Sequence, residues 1–366
     1  MQMDMTALTF DRSRESWSES TGFIKERVRI PHLTKSDRDM ALIRVHMAGF
    51  CGSDRGIWWR KSFGDMIEKS LDEEARNKRV IGHEFFGQVI AIGEDVTCVR
   101  VGDMVAAESH IVCQTCLQCV NKEFHVCAND KIIGISRDGC FAEYIKMPAR
   151  CLWPTDTKKI RPEVAAIQEP FGNAVHACQT TDLRGKNVAI IGCGTIGLFA
   201  LLVAKGMGAQ KVIGVEIDDH HIELAKKLGC DVILKPDLPP KEHPWISDPK
   251  LIQNVLDETN GLGVDVALEM VGINSSLNNA LKIVRRGGHV ILFGVRNGDV
   301  QIEDYHRLVM NGIQLHGVVG RRIFDTWSVT RQLLEDKSNG IQDAVFNIIL
   351  NKGEGSIVDI EDWEKE

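Results

Sequence analysis

Residues 188–191 are consecutive apolar residues, and Gly192, Cys193, Gly194, Thr195, Ile196 and Gly197 follow them at once. A strand that runs into G-x-G-x-x-G and then into an apolar helical pattern is the opening of a parallel, doubly wound sheet. Each glycine has a separate task there. Gly192 permits the tight turn, Gly194 lets the backbone approach a pyrophosphate, and Gly197 lets helix and strand pack closely. Thr195 and Ile196 open the helix whose free N–H groups face the anion. The next strand ends at Glu216, at the spacing of about 20 residues where an acid accepts hydrogen bonds from the adenosine ribose hydroxyls. That acid repels a 2′-phosphate. No Arg follows it closely and Asp218 adds a second acid, so the expected cofactor is NAD rather than NADP.

The same rhythm continues with apolar strands at 212–215, 264–268 and 290–293, separated by helical periods. The first helix is expected to end near Gly208 and a second, 221–228, at Gly229, where glycine can close a helix in the left-handed conformation. Before about Pro162 the pattern differs: short β-type runs at 41–47, 86–92 and 103–107 alternate with Gly, Pro and Asp. A chain of 366 residues exceeds what one hydrophobic core usually organises, so two domains are expected, one β-rich and one α/β. The charge-rich run 68–79 reads as a solvated helix, and 236–244, with four prolines, as a surface loop. At the end, 359–366 carries a capping residue and first-turn acids, the marks of a helix beginning. The sequence stops there, and the reading favours a further helix and strand beyond it over a short polar end.

A net charge of −7 without a long basic run argues against nucleic acid as a partner. The apolar run 188–204 is interrupted by three glycines and falls short of a membrane span. The first residues lack the basic and apolar regions of a secretory signal, so a cytoplasmic protein is expected, with no membrane partner. In that compartment eleven cysteines read as thiols and metal ligands rather than as a disulfide framework.

Four of them, Cys113, Cys116, Cys119 and Cys127, follow C-x2-C-x2-C-x7-C. Soft thiolates gathered in one lobe can close the tetrahedron that zinc prefers in structural sites. An iron–sulfur cluster could also use four cysteines, but nothing else in the sequence calls for an electron-transfer centre. Cys51 lies in GFCGSD and His83 with Glu84 in GHEFFG, two glycine-flanked loops ahead of the nucleotide motif. Found together, they suggest a second metal site.

These segments, in their order and spacing, resemble the zinc-containing medium-chain dehydrogenases of the alcohol dehydrogenase superfamily over nearly the whole chain. Within it SHIVCQTC, RDGCFAEY, QEPFGNAVHA and HGVVGRRIFDTW look like the threonine dehydrogenase branch. The resemblance implies a GroES-like catalytic domain at 1–165 and 303–366 and a Rossmann NAD-binding domain at 166–302. It implies two zinc ions per chain, a catalytic one on Cys51, His83 and Glu169 and a structural one on the four-cysteine lobe. Glu84 would be a further or alternating ligand of the first. Asp54 would hold His83 through its other ring nitrogen, and Ser53 would first carry the proton of the substrate hydroxyl. The family often has a His five residues after the ligand Cys; this chain has Gly56. His110 and His176 are candidates to line the site or to replace that relay.

The implied reaction is oxidation of a secondary alcohol by hydride transfer to NAD, with L-threonine going to 2-amino-3-oxobutanoate, in a homo-oligomer that is typically a tetramer. A sugar or polyol dehydrogenase of the same superfamily is the alternative, favoured by Gly56 and by Cys51-Gly52-Ser53-Asp54-Arg55, which resembles a glucose dehydrogenase loop. A non-catalytic NAD-binding redox sensor is a third reading, against which intact zinc ligands argue.

Overall fold

The structure is a computed structural model that describes residues 3–295 and 298–363. Two compact units divide the chain, Met1–Pro170 with Gly353–Glu366, and Phe171–Lys352.

The first unit contains β1 (Asp4–Asp11), β2 (Ile24–Arg29), β3 (Met40–Gly49), β4 (Lys78–Val80), β5 (Glu84–Ile92), β6 (Met104–Ala107), β7 (His110–Ile111), β8 (Lys131–Ile132), β9 (Tyr144–Pro148) and β10 (Leu152–Pro154). Its helices are short: α1 (Gly52–Trp58), α2 (Gly64–Glu73), α3 (Leu117–Val120) and α4 (Pro162–Ala165). The strands form one sheet ordered β2-β1-β4, another ordered β10-β6-β5-β3-β9, and the β7–β8 ribbon. Phe10, Ile43, Ile57, Phe85, Val89, Ile145 and Met147 fill the core between them, each worth roughly 1.5–3 kcal/mol of burial. The register of β3 against β5 positions the chemistry. Gly49, the last residue of β3, pairs with Glu84, the first of β5, so the loops carrying Cys51 and His83 leave the sheet side by side.

The second unit follows from α5 (Gln168–Gln179), whose first residues belong to the first unit. It holds β11 (Asn187–Ile191), α6 (Thr195–Gly206), β12 (Lys211–Val215), α7 (Asp219–Lys227), β13 (Val232–Leu234), α8 (Pro249–Glu258), β14 (Val264–Glu269), α9 (Asn274–Ile283), β15 (Val284–Leu292), α10 (Tyr305–Met310), β16 (Gln314–Gly317), α11 (Asp325–Glu335) and α12 (Ile341–Ala344). Its six strands are ordered β13-β12-β11-β14-β15-β16 and every pair is parallel. Renumbered within the unit this is 3-2-1-4-5-6, the doubly wound order. Gly208 and Gly229, both at positive φ, stand just after α6 and α7, where the sequence places the helix ends. No helix among the described residues is long and apolar enough to cross a membrane.

Two expectations need correction. The chain does not leave the nucleotide unit at 303: β16 pairs in parallel with β15, and 303–352 stay in the second unit. The signal for that strand is weak because Gln314 and His316 lie among only four residues; its place is set by its neighbour rather than by its own pattern. The run 68–79 is not one solvated helix either. Helix α2 stops at Glu73, and Arg79 on β4 is fully buried, with its guanidinium bonded to Ser70 (3.0 Å), Glu74 (2.9 Å) and Asp138 (3.2 Å). At the tail, 360–362 form turns and Trp363 opens a 3-10 turn, while the rest of the expected helix, 364–366, lies outside the described residues. Ile360 and Trp363 pack on the core of the first unit, and Thr6 Oγ1 donates to Glu361 Oε1 at 2.6 Å.

Candidate active site

Helix α1 begins at its cap residue, Cys51, because the Asp54 carboxylate turns back to accept the Cys51 N–H at 2.9 Å through Oδ2. Asp54 is fully buried, and its other oxygen lies 3.3 Å from His83 Nδ1. That pair is close enough to attract but is not aligned as a hydrogen bond. His83 is presented by Gly82, which has a positive φ and carries the Phe141 ring where a Cβ would be, at 2.4–2.8 Å. Phe141 also stacks on Phe50, the neighbour of Cys51, with ring centroids 6.2 Å apart. One buried ring therefore braces both loops. Gly49 is required too, since a Cβ there would sit 2.3 Å from Glu84 Oε2.

The donor atoms of Cys51, His83 and Glu84 all lie within 4.8 Å of one another. Glu169, in the first turn of α5, is not among the donors gathered within that distance, but its charge acts on both Cys51 and Glu84. Burial first, and then the charge of Glu169, push the Glu84 carboxyl up to about 8. Burial disfavours a charged ring at His83, yet Asp54 and Cys51 outweigh it and raise that group well above its usual value. Asp54 Oδ1, His83 Nδ1 and Glu84 Oε1 are buried without a hydrogen-bond partner. Acids crowded out of water, with orphaned acceptors facing a thiol and an imidazole, fit a dication of the zinc type.

A pH dependence follows for protein stripped of metal. Glu84 in the folded state binds its proton more tightly than its ordinary value of 4.5 implies for the unfolded chain. Its stabilising contribution is therefore complete below about pH 4.5 and lost as pH rises through about 8; His83, also raised, acts in the same direction. Thermal melts of the metal-free protein should show stability declining across that window, with zinc restoring most at the alkaline end. A metal-free melting temperature that is flat or rising there would contradict this account of the pocket.

The four-cysteine lobe fits zinc by distance. Cys113 and Cys119 sulfurs are 4.0 Å apart and those of Cys116 and Cys127 3.9 Å. The edge of a tetrahedron with Zn–S near 2.3 Å is about 3.8 Å. No disulfide is present; all eleven cysteines are free. Backbone N–H groups of Thr115 and Cys116 lower the Cys113 thiol to about 5, while burial lifts Cys119 to about 12. The lobe thus already favours thiolate at one corner.

At the nucleotide motif, Gly192 turns at positive φ and Gly194 caps the twelve-residue α6. A Cβ on Gly194 would meet nothing within 4 Å, which leaves open space at the helix N-terminus for an anion, whereas one on Gly197 would lie 1.9 Å from the Gly192 carbonyl oxygen. Thr195 is exposed and Ile196 half-buried on the first turn. Glu216 is buried at the end of β12, and its carboxylate accepts the N–H groups of Cys193 (2.7 Å), Ile217 (2.7 Å) and Asp218 (3.0 Å). Asp218 is the cap of α7, accepting His221 N at 3.0 Å. These groups fit a dinucleotide.

The remaining candidates divide. Ser53 is half-buried on α1 beside Asp54. His110 lies on β7 with Nδ1 2.6 Å from Asp130 Oδ2, at the base of the cysteine lobe. His176 is buried in the second unit, its Nδ1 2.9 Å from the Gly320 carbonyl oxygen. Gly56 has Ser62 where its side chain would begin, with Oγ 2.8 Å and Cβ 2.9 Å from an ideal Cβ, so a larger residue would require Ser62 to move. Sequence reasoning missed Ser109, whose Oγ donates to Glu169 Oε1 at 2.5 Å, and Cys140, whose thiol faces the Glu84 carbonyl at 3.3 Å. Neither carries a local signal, because each partner lies more than fifty residues away.

Two family models match the chain, one described as alcohol dehydrogenase GroES-like domain over residues 37–157 and one as zinc-binding dehydrogenase over 195–336. An L-threonine 3-dehydrogenase from Caldanaerobacter subterraneus subsp. tengcongensis is 37% identical over 307 residues, covering 83% of this chain and 82% of that protein. One from Symbiobacterium thermophilum is 38% identical over 305 residues, covering 83% and 81%. Among solved structures, an alcohol dehydrogenase from Thermus sp. ATN1 is similar with a TM-score of 0.76 at 25% identity, covering 96% of this chain and 98% of that one.

Proposed function

The chain belongs to the zinc-binding dehydrogenases with a GroES-like alcohol dehydrogenase domain, and from that premise we propose that it oxidises the C3 hydroxyl of L-threonine, reducing NAD and forming 2-amino-3-oxobutanoate. The observation that carries the chemistry is the cluster of half-buried Cys51 with buried His83 and Glu84, with its orphaned polar atoms. The substrate rests on relatives named for that reaction, at 37% and 38% identity over most of the chain.

Cys51, His83 and Glu169 hold the catalytic zinc in this reading, with Glu84 as a further ligand. When bound, that ion supplies Lewis acidity, lowering the pKa of a coordinated hydroxyl towards neutrality. Ser53, two residues after Cys51 on the first turn of α1, takes the hydroxyl proton while releasing its own towards solvent. Asp54 holds its carboxylate 3.3 Å from His83 Nδ1 and attracts that side of the ring by charge, leaving Nε2 for the metal. His110, at the base of the lobe, is a candidate to contact substrate. The four-cysteine lobe holds a second zinc. Gly192, Gly194, Thr195, Ile196 and Gly197 seat the pyrophosphate of NAD against the N-terminus of α6. Glu216 accepts the ribose hydroxyls and disfavours a 2′-phosphate.

An oligomer belongs to the proposal, a tetramer by resemblance. It is supported by β16, which pairs on one side only, and by Tyr305, Val309, Met310 and Leu315 exposed near that edge. The cytoplasm suits thiolate ligands that must stay reduced.

Purified zinc-loaded protein should form NADH fastest with L-threonine, compared with glucose, sorbitol and simple secondary alcohols, and slowly or not at all with NADP. Faster turnover of a polyol would move the chain to the polyol branch and make Gly56 the telling residue. Zinc-loaded protein inert towards every alcohol would favour a non-catalytic NAD-binding role.

A further inference from the structure

One buried hydrogen bond joins the four-cysteine lobe to the acidic pocket. The lobe is closed at its base by β7 and β8, which pair His110 with Ile132 and Ile111 with Lys131. His110 Nδ1 and Asp130 Oδ2, 2.6 Å apart, tie the same base. Ser109 stands immediately before β7, four residues ahead of Cys113, and its carbonyl accepts Ile133 N at 3.1 Å. Its backbone is thus part of the base of the lobe. Its side chain points the other way, 1% exposed, with Oγ donating to Glu169 Oε1 at 2.5 Å.

We propose that Ser109 is a positioning residue that couples the cysteine lobe to the Glu169 carboxylate. This rests on the reading of Glu169 as a ligand of the catalytic metal. A hydroxyl donating to an ionised carboxylate makes a short, directional bond, stronger than its neutral counterpart. Buried as this one is, it has no bulk water to replace it. The closed base of the lobe sets where the Ser109 hydroxyl stands, and the hydroxyl selects which way the Glu169 side chain faces beside Cys51 and Glu84. The lobe then does more than stabilise its own loop. Anything that loosens its base is felt at the acidic pocket through the Ser109 hydroxyl.

The test uses the full chain with cobalt(II) in the acidic pocket and zinc in the lobe, read by the visible cobalt bands and by release of cobalt to a chelator. S109A should shift the bands and speed release on the order of 10–100-fold, the usual effect of removing a partner that orients a metal ligand. S109T, which keeps the hydroxyl, should retain the parent bands and rate. D130A, which opens the base, should speed release when Ser109 is present and add nothing to S109A. Bands and release unchanged in S109A would overturn the proposal, as would D130A and S109A effects that simply multiply. A parent protein that takes up no cobalt at Cys51 would overturn the ligand reading itself, and the coupling with it.

Discussion

Replacing Cys51 with serine should lower NAD-linked turnover by at least about 10³-fold, since a Lewis acid contributes several kcal/mol to such a step and each decade costs about 1.4 kcal/mol. The reason lies in the pocket. Cys51 is both the thiol of the cluster and the cap of α1, whose N–H is held by Asp54. Serine keeps the cap geometry and removes only the soft ligand, so the protein should fold and its melting temperature should stay close to that of the parent stripped of that metal. Zinc analysis should show loss of the ion at this cluster with the lobe still loaded. NAD affinity, measured by quenching of intrinsic fluorescence, should stay near the parent value, because the glycine motif belongs to the second unit. C51S protein with parental turnover would mean that the cluster is not where the chemistry happens.

Gly197→Val should weaken NAD binding on the order of 10–100-fold and lower the melting temperature together. A Cβ at this position would lie 1.9 Å from the Gly192 carbonyl oxygen and 2.9 Å from its carbon. Both are backbone atoms of the turn proposed to receive the pyrophosphate, so relief requires the turn itself to move; overpacking of that kind costs about 1–3 kcal/mol. Gly194→Ala is the informative companion. Its Cβ meets nothing within 4 Å and its φ of −63° suits alanine, so the fold should be untouched while the methyl occupies space the anion needs. Isothermal titration with NAD and a thermal melt of each variant separate the cases. A G197V protein that binds NAD normally, or a G194A protein that loses stability but not affinity, would show that the two glycines have been assigned the wrong tasks.

Much of this was legible in the sequence because it is local. The turn at Gly192, the cap at Gly194 and the acid at Glu216 sit within one strand–helix–strand unit, where steric limits on φ and the alternation of strand and helix periods leave little choice. The cysteine lobe was equally plain, its four cysteines lying within one loop at metal spacing. The pocket was legible only in part. Cys51, His83 and Glu84 announced themselves through their glycine neighbours, but the reason for those glycines, the Phe141 ring against Gly82 and the Glu84 carboxylate against Gly49, involves residues far along the chain.

Where local pattern misled, a distant partner had decided the outcome. Arg79 ends a run of charged residues that reads as solvated, yet Ser70, Glu74 and Asp138 make a buried site for it. Residues 303–352 carry little strand signal, and β15 offers the edge that keeps them in the second unit. Ser109 looks like any serine before a short strand, until folding brings Glu169 to it from sixty residues away. Residue pattern alone specified the two architectures, the glycine turn and the four cysteines that share a loop, because backbone sterics and residue periodicity act over a few neighbours. Tertiary structure alone decided which buried polar groups meet, where the domains divide and how the lobe is joined to the pocket. A buried carboxylate or guanidinium must find a partner once water is excluded, and which partner is within reach depends on how distant segments pack.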